Sequence, residues 1–178
     1  MADIRKHRAR WRAPWAALLV MVACSAFAEE YMGRDAFLDI AFGATVEPEM
    51  QSLWITKESR AAATDAVGWA PAALRLRYWH IGERTAWILE DIGKDQPITL
   101  GVVVAGERIE RVEVLAFRES RGWEIRYPFF TDQFSGLTLA EDGYLSEHID
   151  GITGATLSVR AVERVARLAL WLDAQVRG

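Results

Sequence analysis

Between Asp150 and Ser158 the chain reads Asp-Gly-Ile-Thr-Gly-Ala-Thr-Leu-Ser. Three hydroxyls and two glycines stand there, just ahead of a stretch with helical spacing. From Ala155 onward the apolar positions are Val159, Val162, Val165, Ala166, Ala169, Leu172 and Val176, with Arg160, Glu163, Arg164 and Arg167 on the other side. Such spacing predicts an amphipathic helix. The first turn of a helix leaves N–H groups without intrahelical partners, and the helix dipole adds partial positive charge there. A phosphate is stabilised at such a place. Gly151 and Gly154 remove side chains that would block its approach, and Thr156 offers a hydroxyl beside it. A plain helix start, with Thr153 as N-cap and Asp150 complementing the dipole, is the alternative reading of the same residues.

Other chemistry is thinly represented. Cys24 is the only cysteine, which excludes a disulfide within the chain and a zinc or iron–sulfur site built on several cysteines. His7, His80 and His148 are scattered without metal-ligand spacing, so no metal site is expected. There is no Cys-x-x-Cys-His haem site and no Gly-x-Gly-x-x-Gly after a strand.

Charge divides the chain. Arg5, Lys6, Arg8, Arg10 and Arg12 stand against Asp3 alone, whereas the whole chain carries −4, so residues 29–178 are acidic. An acidic body argues against nucleic acid as a partner. The basic patch is followed by an apolar run from Pro14 to Cys24, and Ala26-Phe27-Ala28 meets the small-x-small rule for signal peptidase. That order predicts a secretory signal peptide over residues 1–28, cleaved after Ala28. Two rivals are a lipoprotein with its lipid on Cys24 and an uncleaved anchor. All three place the domain outside the cytoplasm, in the periplasm or on the outer face of the membrane.

The elements that must position the Thr156 loop can be read in outline. Residues 36–42 predict a short helix, as do residues 48–56 after Pro48 and residues 58–67 before Gly68. Residues 78–81 and 84–89 predict a hairpin around Gly82-Glu83. Residues 97–104 and 108–117 predict two more strands joined at Gly106-Glu107. Residues 122–127 suggest a further strand and residues 129–134 a short helix. The expected class is α+β: one domain with a mostly antiparallel sheet, N-terminal helices and a C-terminal amphipathic helix. Residues 29–92 form its helical and hairpin part, and residues 93–178 its core.

Asp150-x-x-Thr153-Gly154-Ala155-Thr156 resembles the Asp-x-x-Ser/Thr-Gly-Ala-Thr motif of the FMN-binding domain family. That family includes the peripheral flavin subunits of sodium-pumping quinone reductase and Rnf-type complexes. Glu119-Ser-Arg-Gly122-Trp123 and Phe130-x-x-Gln133-Phe134-Ser135-Gly136 resemble its second stretch, and the likeness runs from about Gly93 to Leu172. The resemblance implies FMN joined by a phosphoester to Thr156, attached by an FAD-dependent flavin transferase with Mg²⁺. Asp150 would be read by that transferase or would orient the loop. Gly151, Thr153, Gly154, Ala155, Leu157 and Ser158 would shape the acceptor turn. Trp123, Tyr127, Phe129 and Phe130 are candidates to floor the flavin ring, against the plainer reading that they are core. Glu119 and Gly122 could mark a turn that approaches it. A second Asp-Gly-Ala-Thr spacing, Asp39 to Thr45, has Phe42 where the motif requires Ser or Thr.

The implied activity is electron carriage between a membrane redox complex and a periplasmic acceptor. Two rivals follow from the same chain. One is a flavin-free binding or assembly module. The other is a small flavin-dependent reductase using His80, His148 or Glu119 as acid or base.

Overall fold

The alternating middle of the chain folds into a six-stranded antiparallel sheet in the computed structural model, which describes residues 29–177. The expected signal peptide lies outside these residues. The strands are β1 (Glu29–Glu30), β2 (Glu49–Trp54), β3 (Arg75–Ile81), β4 (Arg84–Ile92), β5 (Pro97–Ala105) and β6 (Arg108–Phe117), in spatial order β1-β6-β5-β4-β3-β2. The helices are α1 (Arg34–Phe42), α2 (Lys57–Val67), α3 (Pro128–Thr131) and α4 (Thr156–Arg177). The α+β class is therefore as expected, in one domain.

The sheet buries both faces, unequally. On one, Leu76, Tyr78, Trp87, Leu89, Leu100, Val102 and Val114 meet Val162, Val165, Ala166, Ala169 and Leu172 of α4. Each such aliphatic side chain contributes about 1.5–3 kcal/mol when fully buried. On the other, α1 sets Phe37, Ala41 and Phe42 against Ala86, Val103 and Leu115. Double coverage explains why β5 reads as an unbroken apolar run: Val102, Val103 and Val104 are all buried. Gly101 leaves room for the Phe37 ring, since a Cβ there would lie 2.5 Å from it.

Two elements differ from expectation. Residues 49–54 form a strand, not a helix: β3 offers a ladder partner from Glu49↔His80 to Trp54↔Arg75, and long-range pairing overrides local preference. Pro48 stands just before it, where its missing N–H is harmless. Trp123–Arg126 is a 3₁₀ turn, not a strand. The last two residues of β6 are paired on the outer edge by β1, through Glu29↔Phe117 and Glu30↔Ala116. The chain instead closes locally, Ile125 N–H donating to the Gly122 carbonyl and Tyr127 N–H to that of Glu124.

Helix α4 is buried more widely than its seven-residue stripe implied. Ala161, Leu168, Leu170, Trp171 and Asp173 are buried as well. The charged side is engaged too: Arg164 Nε donates to Asp91 Oδ2 at 2.6 Å, and the Arg167 guanidinium lies 5.1 Å from the Tyr144 ring centre. Thr85 on β4 donates to Asp173 Oδ1 at 2.6 Å and accepts from Trp87 Nε1 at 3.0 Å. Arg177 closes on Asp173 Oδ2 at 2.6 Å. Among the described residues no helix is long and apolar enough to cross a membrane.

Candidate functional site

Thr156 is the first residue of α4 and is exposed. Val159 N–H makes the bond to the Ala155 carbonyl at 2.9 Å, so the N–H groups of Thr156, Leu157 and Ser158 precede that bond. Thr153 is not the cap. It lies three residues ahead of the helix, exposed, because Gly154 takes φ +84° and turns the chain before α4 begins. The turn is closed by Ala155 N–H donating to the Ile152 carbonyl at 3.0 Å. Space around Gly151 and Gly154 is open: a Cβ at either meets nothing within 4 Å.

Three segments meet at this helix start. Lys94 and Asp95 at the tip of the β4–β5 hairpin, Glu119, Ser120 and Arg121 after β6, and Gly154 to Ser158 line one cleft of about 390 Å³. Gly122 (φ +89°) packs the second segment against the third, since a Cβ on it would stand 2.8 Å from Ser158 Oγ and 3.1 Å from Ala155 Cβ. Only glycine satisfies both that angle and that approach. The fold thus makes the 119–122 turn and the 150–158 loop neighbours.

Glu119 has a role that sequence reasoning missed. Its Oε1 accepts from the N–H groups of Lys94 at 2.6 Å, Asp95 at 2.6 Å and Gln96 at 2.9 Å. It shapes the hairpin tip as a fixed anion. Desolvation opposes its charge, but the Gln96, Asp95 and Lys94 N–H bonds, with the Lys94 charge, together hold the carboxyl below its ordinary range. Gln133 was seen only as part of the second family-like stretch. Its Oε1 accepts the Asp150 N–H at 2.7 Å and so ties that stretch to the start of the loop. The Asp150 side chain itself is exposed.

The aromatic candidates separate. Phe130 is fully buried against Phe134, ring centres 5.5 Å apart, and cannot serve a ligand. Trp123, Tyr127 and Phe129 are exposed. Trp123 and Tyr127 meet edge to face at 5.6 Å, and the Arg126 guanidinium lies 5.3 Å from the Trp123 ring, 5.1 Å from Tyr127 and 4.4 Å from Tyr31. This group begins one residue after Gly122. Leu157 adds an exposed apolar side chain at the cleft itself.

Thr45 stands in a different setting. It follows the C-terminal end of α1, where Gly43 N–H caps onto the Asp39 carbonyl. The local dipole is negative there, and Asp35, Asp39 and Glu47 line the surrounding hollow with it. The three acid–base candidates are also dispersed. His80 lies in a hollow with Glu83, Glu107 and Arg177, His148 in one with Tyr144, Glu163 and Arg167, and Glu119 in the cleft beside Thr156. No group of three metal-ligating side chains occurs among the described residues.

The donor set fits a phosphate monoester or diester: an exposed hydroxyl at a helix start, open glycines around it, and the cations Lys94 and Arg121 across the cleft. No curated protein and no solved structure matches this chain. A family model does: residues 93–170 match the FMN-binding domain. That span begins at the hairpin tip and ends in α4, so it holds every wall of the cleft. Residues 93–170 are thus an FMN-binding domain by that match, which supports flavin binding by this protein.

Proposed function

We propose that the protein is an exported electron carrier whose FMN is held by a phosphoester on Thr156. What carries this reading is the placement of the Thr156 hydroxyl on the open, glycine-flanked start of α4, within the matched family span. During maturation by a flavin transferase, the Thr156 hydroxyl would displace AMP from FAD at the flavin-side phosphorus and give up its proton. The N–H groups of Thr156, Leu157 and Ser158 would meet the charge of the phosphoester, with Lys94 and Arg121 lining the same cleft. Glu119 fixes the hairpin tip, and Gln133 fixes the loop entry. Trp123, Tyr127 and Leu157 offer apolar surface beside the cleft for the ring. The flavin itself supplies the redox chemistry, so the chain needs only to position it. Electrons would pass between a membrane redox complex and a periplasmic acceptor, consistent with the leader over residues 1–28. The dispersal of His80, His148 and Glu119 favours a relay over a reductase with its own acid and base.

Intact mass after denaturation tests the bond. Protein from a host with an active flavin transferase should weigh about one FMN more than the mature chain. Thr156→Ala should lose that adduct and Thr156→Ser should keep part of it, while Thr45→Ala changes nothing. A bare, colourless wild-type chain from such a host would sink the covalent reading. The same spectrum gives the mature N-terminus, which should fall at Glu29.

A further inference from the structure

Residues 123–134 sort their large side chains in two directions. Ile125, Phe130 and Phe134 are fully buried, whereas Trp123, Tyr127 and Phe129 are 41%, 37% and 63% exposed. The 3₁₀ turn at Trp123–Arg126 and Pro128 at the start of α3 set that division. The outward rings form one surface: Trp123 and Tyr127 stand 5.6 Å apart, Tyr127 and Phe129 6.2 Å. Single exposed apolar side chains are ordinary, but a contiguous group of them marks an interaction site.

The chain itself says what lies beside this surface. Residues 1–28 enter the domain at β1, and Tyr31 follows directly. The Tyr31 ring lies 4.4 Å from the Arg126 guanidinium, which also reaches Trp123 and Tyr127. The apolar run from Pro14 to Cys24 therefore joins the domain at this patch. The stretch from Cys24 to Glu29 spans at most about 18 Å. A lipid on Cys24, or the uncleaved run, would hold a bilayer within that reach of β1. Trp, Tyr and Arg are side chains that settle at the membrane–water boundary, with apolar body inward and polar tip outward. Glu29, Glu30 and Glu124 offset Arg121 and Arg126 in charge, so the rings and not net charge carry the attraction.

We infer that Trp123, Tyr127 and Phe129 seat the protein on a lipid bilayer, in the boundary between headgroups and acyl chains. The inference rests on the exported reading and needs no flavin. Gly122, just before Trp123, packs against Ala155 and Ser158. Seating the patch therefore holds the Thr156 cleft at the membrane face, where a membrane redox complex could meet it.

The purified mature protein, beginning at Glu29, should co-sediment with vesicles of phosphatidylcholine and phosphatidylglycerol, and high salt should not release it. Phe129→Ala alters an exposed side chain, so the fold is kept and partitioning weakens roughly tenfold. Phe129→Trp should restore it. Residues 29–178 contain no cysteine, so Phe129→Cys and Met50→Cys each accept one environment-sensitive fluorophore. The label at position 129 should shift to the blue on adding vesicles, and the label at position 50, on the far edge strand, should not. Thr156→Ala should bind as wild type does, so failure of the flavin reading leaves this result standing. Protein that stays in the supernatant at every lipid concentration would overturn the seating, as would release by salt or undiminished binding of Phe129→Ala. Binding by Thr156→Ala but not by the flavinylated protein would give the patch to the flavin ring. A lipid-free doubled mass that Phe129→Ala abolishes would give it to a second copy. Either outcome overturns the seating.

Discussion

At the scale of single residues, two carboxylates tune the protein in opposite directions. Glu119 is held below its ordinary range, chiefly by backbone N–H bonds that outweigh desolvation. Its folded value is lower than its unfolded one, so its contribution is present above about pH 4.5 and is lost as pH falls through the folded value. Glu119→Gln should therefore flatten the acid limb of the stability curve, read from denaturant midpoints at several pH values, with little change in slope near neutrality. The charge of Glu119 was legible in the sequence, but its partners were not. They are main-chain groups some two dozen residues away, and no side-chain pattern announces them. Thr156 was legible because the loop that presents it is local: glycine, hydroxyl and helix start follow one another in the chain. Thr153 was misplaced for an equally local reason, since the turn at Gly154 delays the helix start from residue 154 to Thr156.

At the scale of elements, α4 is tied to β4 by a buried polar chain. Trp87 Nε1 donates to Thr85, Thr85 donates to Asp173, and Arg177 pairs with the other carboxylate oxygen. Burial pushes the Asp173 carboxyl up, while Thr85 and Arg177 pull it down and Glu107 adds to the rise. Thr85→Val leaves both a buried indole N–H and a buried carboxylate oxygen without this hydroxyl. It should cost about 2–4 kcal/mol in urea unfolding. The loss should grow as pH rises through the folded-state value of the Asp173 carboxyl, which burial holds above its ordinary range. The two misread elements make the same point from the other side. Residues 49–54 became a strand because β3 was available to pair with them, and residues 123–126 closed into a 3₁₀ turn after Gly122, while β1 took the β6 edge at Ala116 and Phe117. Neither neighbour is visible within a local window of sequence. The hairpin and the two strands after it were legible because each carries its own turn and its own alternation.

At the scale of the whole molecule, the family match begins at residue 93, but the physical unit does not. Strand β4 pairs with β5 along nine residues, from Arg84↔Ala105 to Ile92↔Pro97. It also supplies Trp87 and Leu89 to the core under α4. Residues 93–178 alone would expose one flank of β5 and one side of α4. That fragment should show no cooperative thermal transition by circular dichroism and should bind no FMN, whereas the chain from residue 29 melts in one step. A fragment that folds and is flavinylated would show that β4 and α2 are accessory.

The hairpin tip that grips Glu119 is a small receptor in its own right. Three consecutive amides, those of Lys94, Asp95 and Gln96, converge on one oxygen, and such a nest accepts any small oxyanion of suitable size. Excising the side chain in Glu119→Ala should leave that seat vacant, so that added acetate raises the melting temperature of the variant and leaves wild type unmoved. Chemical rescue of this kind would show that an anion in that seat, tethered or free, is what holds the tip in shape.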